Sequence, residues 1–280
     1  MPFAVPFHAL LLAVLRGHGQ IMLQNHAGTG MQFLAGIAWG GLDMALGALL
    51  ATLAATLLAY RLGWDAERIG QGLYGFSAAL TGVALVLFFQ PGVLLWLTIP
   101  LAGCVAALIQ HQGLQRGWPL YTLPFILVTW LCLWLGSGWL QPAGDGAVAV
   151  QMAGFALSGY GQVIFQDSAL SGLLFFAGVL LASPLAALYA LAASMLAGLL
   201  MLQLGADAQA VASGLLGYNA VLCAMVFAGA RRRDALWVGV SVLAALLTGQ
   251  ILVHFGLPAL TFPFVAGSWL ALGLRRVLAG

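Results

Sequence analysis

The residues of this chain that can recognise a solute are neutral, and they come in pairs. Gln20 and Gln162 each begin a polar stretch inside apolar sequence: Gln20-Ile-Met-Leu-Gln-Asn-His-Ala-Gly-Thr-Gly30 and Gln162-Val-Ile-Phe-Gln-Asp-Ser-Ala-Leu-Ser-Gly172. Thr122 and Thr261 each open a Thr-x-Pro-Phe motif. Flat or apolar side chains accompany them, namely Leu23, Phe76 and Leu80 in the first set and Phe165, Tyr218 and Leu222 in the second. Amide, hydroxyl and carbonyl oxygens accept N–H groups, and apolar walls offer nothing to a hydrated ion. The combination suits a small, flat, uncharged solute rich in donors. Each member also has a plainer reading. A Gln between membrane helices often bonds across them as structural glue, a Thr ahead of Pro bonds a freed carbonyl, and Phe, Tyr and Leu pack.

Other chemistries lack their residues. No Ser-His-Asp set, phosphate-binding loop, paired catalytic carboxylates or His/Cys ligand spacing is visible, which argues against an enzyme and implies neither cofactor nor metal. Cys104, Cys132 and Cys223 lie in apolar stretches without paired spacing and read as small hydrophobes. A cation pore usually needs a ring of acids or of ordered carbonyls, and a coupled transporter an intramembrane acid or base. Here Asp43, Asp145 and Asp207 fall in predicted loops and Asp167 at a helix entry. His18 and His26 flank the first motif without twins, where Tyr160 and Ser168 stand instead; surface or capping roles suit them better than a pH gate.

These residues need elements to hold them, and composition says in what medium. Of 280 residues, 63% are hydrophobic and 6% charged, and the mean hydropathy is +1.05. A water-facing domain of this size carries far more charge, so hydrocarbon must surround this one. The net charge of +2 arises from arginines without lysine, and the run Arg231-Arg232-Arg233 reads as a loop anchor rather than a nucleic-acid patch. No basic residue precedes the first apolar run, which is expected to stay in the mature protein.

A duplication organises the chain. At an offset of 142, Gly19-Gln20-Ile21 lies over Gly161-Gln162-Val163, Gly72-Leu73 over Gly214-Leu215, and Gly75-Phe76-Ser77-Ala78 over Gly217-Tyr218-Asn219-Ala220. At an offset of 139, Pro119, Thr122, Pro124, Phe125 and Trp130 lie over Pro258, Thr261, Pro263, Phe264 and Trp269. We therefore read residues 1–141 as a first repeat and 142–280 as a second. Apolar stretches run about 3–22, 44–61, 73–89, 93–110 and 120–136, then 148–164, 186–204, 215–229, 235–254 and 259–275; each is long enough for a ~30 Å core. Shorter pieces near 28–38 and 170–181 reach about halfway at ~1.5 Å per residue. Gly40-Gly41 and Ser183-Pro184 mark the next helix starts.

The expected fold is an all-α membrane protein of two inverted-topology repeats, each of five transmembrane helices plus one re-entrant half-helix. An odd number of crossings inverts the second half, and the substrate path then lies between the repeats near mid-bilayer. With both termini in the cytoplasm, Arg61, Arg68, Arg116, Arg231, Arg232, Arg233, Arg275 and Arg276 fall inside, and Arg16 elsewhere.

The halves resemble those of the urea transporter family. The resemblance rests on Gly-Gln-x-x-(Leu/Phe), on Gly72-Leu-Tyr-Gly-Phe-Ser-Ala-Ala-Leu80 with its twin Gly214–Leu222, and on Leu-Pro-Ala-Leu-Thr261-Phe-Pro-Phe264 with its twin around Thr122. It covers essentially the whole chain. It implies a passive urea channel of the inner (plasma) membrane, surrounded by lipid and assembled as a homotrimer with one pore per subunit. By the same resemblance, Gln20 and Gln162 lie near two urea-binding regions, and Thr122 and Thr261 near the constriction that forms the selectivity filter. Leu23 and Phe165 stand where the family has facing Phe residues, and Phe76, Leu80, Tyr218 and Leu222 at further slot-lining places. Two departures stand out. Leu23 replaces a Phe, and Asn25-His26-Ala27 replaces Asn-Pro, which implies a wider mouth on that side. An ion-coupled transporter, a channel for short amides, ammonia, water or formate, and an intramembrane enzyme are the competing readings; three spans per half and Asn-Pro-Ala motifs set the aquaporin type apart.

Overall fold

A chain without water around it must satisfy its backbone polar groups internally, and a helix does so within one segment. The computed structural model describes residues 5–136, 138–140 and 154–278, and its elements are all helices among these residues. It divides into two compact units, Met1–Ala147 and Val148–Gly280. The expected repeat boundary at 141/142, the Asp145 loop and the first residues of the 148–164 stretch lie outside the described residues.

The first unit holds α1 (Phe7–Gln20), α2 (Ala27–Gly40), α3 (Leu42–Arg61), α4 (Ala66–Gly70), α5 (Phe76–Phe88), α6 (Val93–Gln115) and α7 (Leu123–Gly136). The second holds α8 (Phe155–Gln162), α9 (Ala169–Ala182), α10 (Pro184–Gln203), α11 (Ala208–Ala212), α12 (Tyr218–Phe227), α13 (Arg232–His254) and α14 (Phe262–Val277). The starts at Leu42 and Pro184 follow the Gly40-Gly41 and Ser183-Pro184 signals. The short α4 and α11 were not foreseen. Each is capped by an aspartate at the matching place: Asp65 accepts from the Arg68 N–H at 2.8 Å and Asp207 from the Ala210 N–H at 3.0 Å.

Four helices, α3, α6, α10 and α13, are long and apolar enough to cross a bilayer. Their sidedness is the reverse of a water-soluble helix. On α3, Ala45, Ala48, Ala51, Ala55 and Ala59 are buried, whereas Leu46, Leu49, Leu53 and Leu57 are exposed. Small residues bring backbones close and large apolar ones face outward, the pattern of helices that pack in lipid. The protein is membrane-embedded.

Helix lengths depart from the expectation of ten near-equal spans. α5 has 13 residues and α12 has 10, so α12 rises only about 15 Å, half a hydrocarbon core. The apolar runs at 73–89 and 215–229 hide turns: Gly72 and Gly214 take φ +76° and +82°, and helix begins only after Gly75 and Gly217. A side chain at Gly72 would strike Gly17, and one at Gly214 would strike Gly159, so each turn lies directly on the unit's first helix. The 28–38 and 170–181 pieces are longer than expected, at 14 residues each.

One pair of substitutions makes the units pack differently. In the first, a Cβ at Gly103 of α6 would lie 3.1 Å from the Ala51 Cα of α3, so these helices meet backbone to backbone. The matching residue of α13 is Val242, and α13 leans instead on α14, where Gly267 sits against Ser241 and Ala245. The residue matching Gly267 is Val128. Glycine and valine have exchanged places, and the fourth long helix follows the glycine. We predict that Gly267→Val costs about 1–3 kcal/mol by overpacking, read as a lower Tm of the detergent-solubilised protein; an unchanged Tm would contradict the close approach.

Candidate functional site

Two turns in each unit place the paired residues, and both are built on unusual backbone. Most described helix ends that close on a left-handed residue use glycine. Gly63, Gly117, Gly205 and Gly256 follow α3, α6, α10 and α13 at φ between +65° and +85°. α1 and α8 end in the same way, but the left-handed residues are Leu23 (φ +60°) and Phe165 (φ +59°). The Gln24 N–H bonds the Gly19 carbonyl and the Leu23 N–H bonds that of Gln20, each at 3.0 Å; Gln166, Gly161, Phe165 and Gln162 repeat the arrangement. This is the double hydrogen-bond closure that normally calls for glycine. A non-glycine residue there costs roughly 1–2 kcal/mol. Such strain marks positions where a side chain is wanted despite it.

The second turn precedes α7 and α14. Tyr121 (φ +49°) and Leu260 (φ +44°) are left-handed, and the following Thr122 and Thr261 are buried. The carbonyls of Thr122 and Thr261 accept the first helical bonds, from Ile126 and Val265 at 3.1 and 3.2 Å. Each Thr thus sits at a helix start with its hydroxyl on a chain that has just changed hand. The four left-handed non-glycine residues among those described form two matched pairs, 142 and 139 apart as the alignment requires.

The remaining residues vary in setting. Gln20 is buried and its amide Nε2 donates to the Gln71 carbonyl at 3.0 Å, tying the end of α1 to the turn before α5. Arg16 also bonds this region, through the Gly70 carbonyl at 3.0 Å. Leu23, Gln162, Phe165 and Tyr218 are half-buried; Phe76 is buried, and Leu80 and Leu222 have no exposed surface. Tyr218 donates its hydroxyl to the Leu260 carbonyl. Its neighbour Asn219 also reaches Leu260 O, at 3.5 Å, and accepts from the Phe264 N–H at 3.1 Å. The start of α12 therefore clamps the Leu260–Thr261 turn, beside a small cleft of about 60 Å³ bordered by Tyr218, Asn219, Ala259 and Pro263. In the first unit the corresponding pair is Phe76-Ser77, which has no such amide or phenol, and the buried Ser77 Oγ has no hydrogen-bond partner among the described residues.

Asn219, Tyr121 and Leu260 are the participants that sequence reasoning missed. The signal was the change from Phe-Ser to Tyr-Asn in an otherwise matched pair of motifs. The two histidines also resolve. His26 caps α2, accepting from the Thr29 N–H at 3.2 Å. His18 is not at the surface as expected: it is fully buried in α1, with Nδ1 2.8 Å from the Val14 carbonyl, because small neighbours at Gly17 and Gly19 bring other backbone close.

Among the described residues, the buried polar side chains are hydroxyls, amides and the His18 imidazole; none is an acid, lysine or arginine. No cluster of three or more His, Cys, Asp or Glu side chains suited to a metal occurs among them. Apolar outward faces, interrupted helices and neutral buried polar groups define an all-helical, membrane-embedded protein. The family model described as Urea transporter matches residues 11–276. The chain belongs to the urea transporter family, whose members are transport proteins rather than enzymes. It is 28% identical to urea transporter 1 of Rattus norvegicus over 77% of this chain and 62% of the rat protein. It is 26% identical to urea transporter 1 of Ovis aries and of Capra hircus, over 92% of this chain and 75% of each relative.

The clamp yields a stability prediction. Tyr218→Phe removes one donor from Leu260 O and is expected to cost about 1 kcal/mol, seen as a lower Tm; no change would mean that Asn219 alone holds the turn.

Proposed function

We propose that this protein is a passive, channel-type urea transporter of the inner (plasma) membrane. The observation that carries the reading is the matched pair of left-handed turns that hold Thr122 and Thr261 at the starts of α7 and α14, in a chain whose described buried side chains include no acid, lysine or arginine. Family membership supplies the substrate class.

Urea is planar, with four N–H donors and one carbonyl. Entering a dry slot costs it the water bonded to those donors, on the order of 1–3 kcal/mol for each bond left unreplaced. Oxygens spaced along one edge of a narrow slot restore these bonds in turn, and flat apolar walls exclude anything that must keep its hydration shell. On this reading Thr122 and Thr261 supply oxygens at the centre, and Gln20 and Gln162 receive the solute on either side of it. Leu23 and Phe165, with Phe76, Leu80, Tyr218 and Leu222, form or back the walls. Leu23 leaves its mouth wider than an aromatic ring would. Residues 1–141 and 142–280 act as inverted repeats that line one path, the termini are cytoplasmic, and three subunits associate with a pore in each.

Stopped-flow urea efflux from proteoliposomes tests this. Efflux is expected without any proton or sodium gradient, and to be unaltered when such gradients are imposed and dissipated. Strict gradient dependence would reject the channel in favour of an ion-coupled transporter. Thr122→Val and Thr261→Val keep shape and lose the hydroxyl. Loss of ~1.4 kcal/mol corresponds to about tenfold, so each is expected to slow urea severalfold to tenfold with its Tm maintained; unchanged flux would remove that threonine from the path.

A further inference from the structure

The exchange of glycine and valine leaves a groove in the second unit. Gly103 of α6 has become Val242 in α13, and Ala51 of α3 has become Ala193 in α10. Both Val242 and Ala193 line an apolar groove of about 410 Å³ between α10 and α13, helices that touch only sparsely. Along α13 it runs from Ala235 to Leu246, roughly 17 Å at ~1.5 Å per residue. That is close to half of a ~30 Å hydrocarbon core, the depth of one leaflet.

One end of the groove is basic. Arg231, Arg232 and Arg233 are exposed and lie within a turn of Ala235, at the N-terminus of α13 where the helix dipole is positive. The nearby carboxylate, Asp234, is engaged by the Arg231 backbone N–H at 3.0 Å as part of the helix start. Positive charge therefore exceeds negative at this mouth.

We propose that the groove and these arginines form a site for one anionic phospholipid, with an acyl chain between α10 and α13 and the phosphate on Arg231–Arg233. The size selects the occupant. A helix with its side chains is about 10 Å wide, so 17 Å of it fills on the order of 1,300 Å³, three times the groove. A polymethylene chain one carbon thick fills on the order of a few hundred Å³ over the same length. Water has almost no polar partner along this lining and does not compete. The planar guanidiniums bind phosphate oxygens in a forked geometry. Both headgroups carry one phosphate, but the choline cation of phosphatidylcholine is repelled by the arginine cluster, which favours phosphatidylglycerol, whose glycerol headgroup is uncharged.

Native mass spectrometry of the full chain, released from vesicles of equimolar phosphatidylglycerol and phosphatidylcholine, reads the site without using transport. The wild type is expected to retain one phosphatidylglycerol per chain, at least fivefold over phosphatidylcholine, and millimolar inorganic phosphate is expected not to displace it. Val242→Gly gives α13 the residue that lets α6 sit on α3 and closes the groove; Ala193→Leu fills it. Each is expected to reduce retained lipid at least fivefold. Arg232→Gln with Arg233→Gln is expected to keep a lipid and lose the preference for phosphatidylglycerol. Equal retention by the wild type and the folded groove variants would overturn the proposal. So would an absent headgroup preference in the wild type, displacement by phosphate alone, or a change of oligomeric mass with Ala193→Leu, which would give this face to a second copy of the chain.

Discussion

Backbone that leaves the helix at membrane depth has no water to bond, so every interruption must be repaired by protein. This constraint governs the structure. Where α1 and α8 end, the freed carbonyls of Gly19 and Gln20, and of Gly161 and Gln162, are taken up by the N–H groups of the turn itself. Where α12 begins, Tyr218 and Asn219 reach across to the turn before α14. Once repaired, such turns hold oxygens and side chains at fixed places in an otherwise apolar interior. On the proposed function, the site for a neutral solute and the stable interruption draw on the same hydrogen bonds.

Strain accompanies the repair. Glycine closes the long helices, yet Leu and Phe stand at the equivalent ends of α1 and α8. Glycine would be the relaxed choice at both. Keeping a side chain there is consistent with walls that must be apolar and close at the point where the polar turn begins. The same reasoning applies to Tyr121 and Leu260, which carry the backbone through the left-handed region immediately before the two threonines.

Much of this was legible because the chain is duplicated. Matched Gly, Pro, Gln and Thr residues locate both sets of turns, and Gly40-Gly41 and Ser183-Pro184 announce the helices that follow. Three things were not legible. Apolar sequence runs unbroken through 73–75 and 215–217, so hydropathy could not show that helix starts only at Phe76 and Tyr218. Leucine, tyrosine and phenylalanine carry no signal for left-handed backbone, so the conformations of Leu23, Tyr121, Phe165 and Leu260 are imposed by tertiary packing. The different leaning of α6 and α13 was written in two Gly/Val exchanges, but their meaning depends on which helix each position faces.

On the proposed function, urea passes along the oxygens beside Thr122 and Thr261, stripped of water between apolar walls. A structure of the protein in lipid with urea bound tests this most directly. Urea is expected within hydrogen-bonding distance, about 2.7–3.2 Å, of an oxygen at each threonine turn. Density for urea elsewhere, with both turns packed shut by side chains, would contradict it.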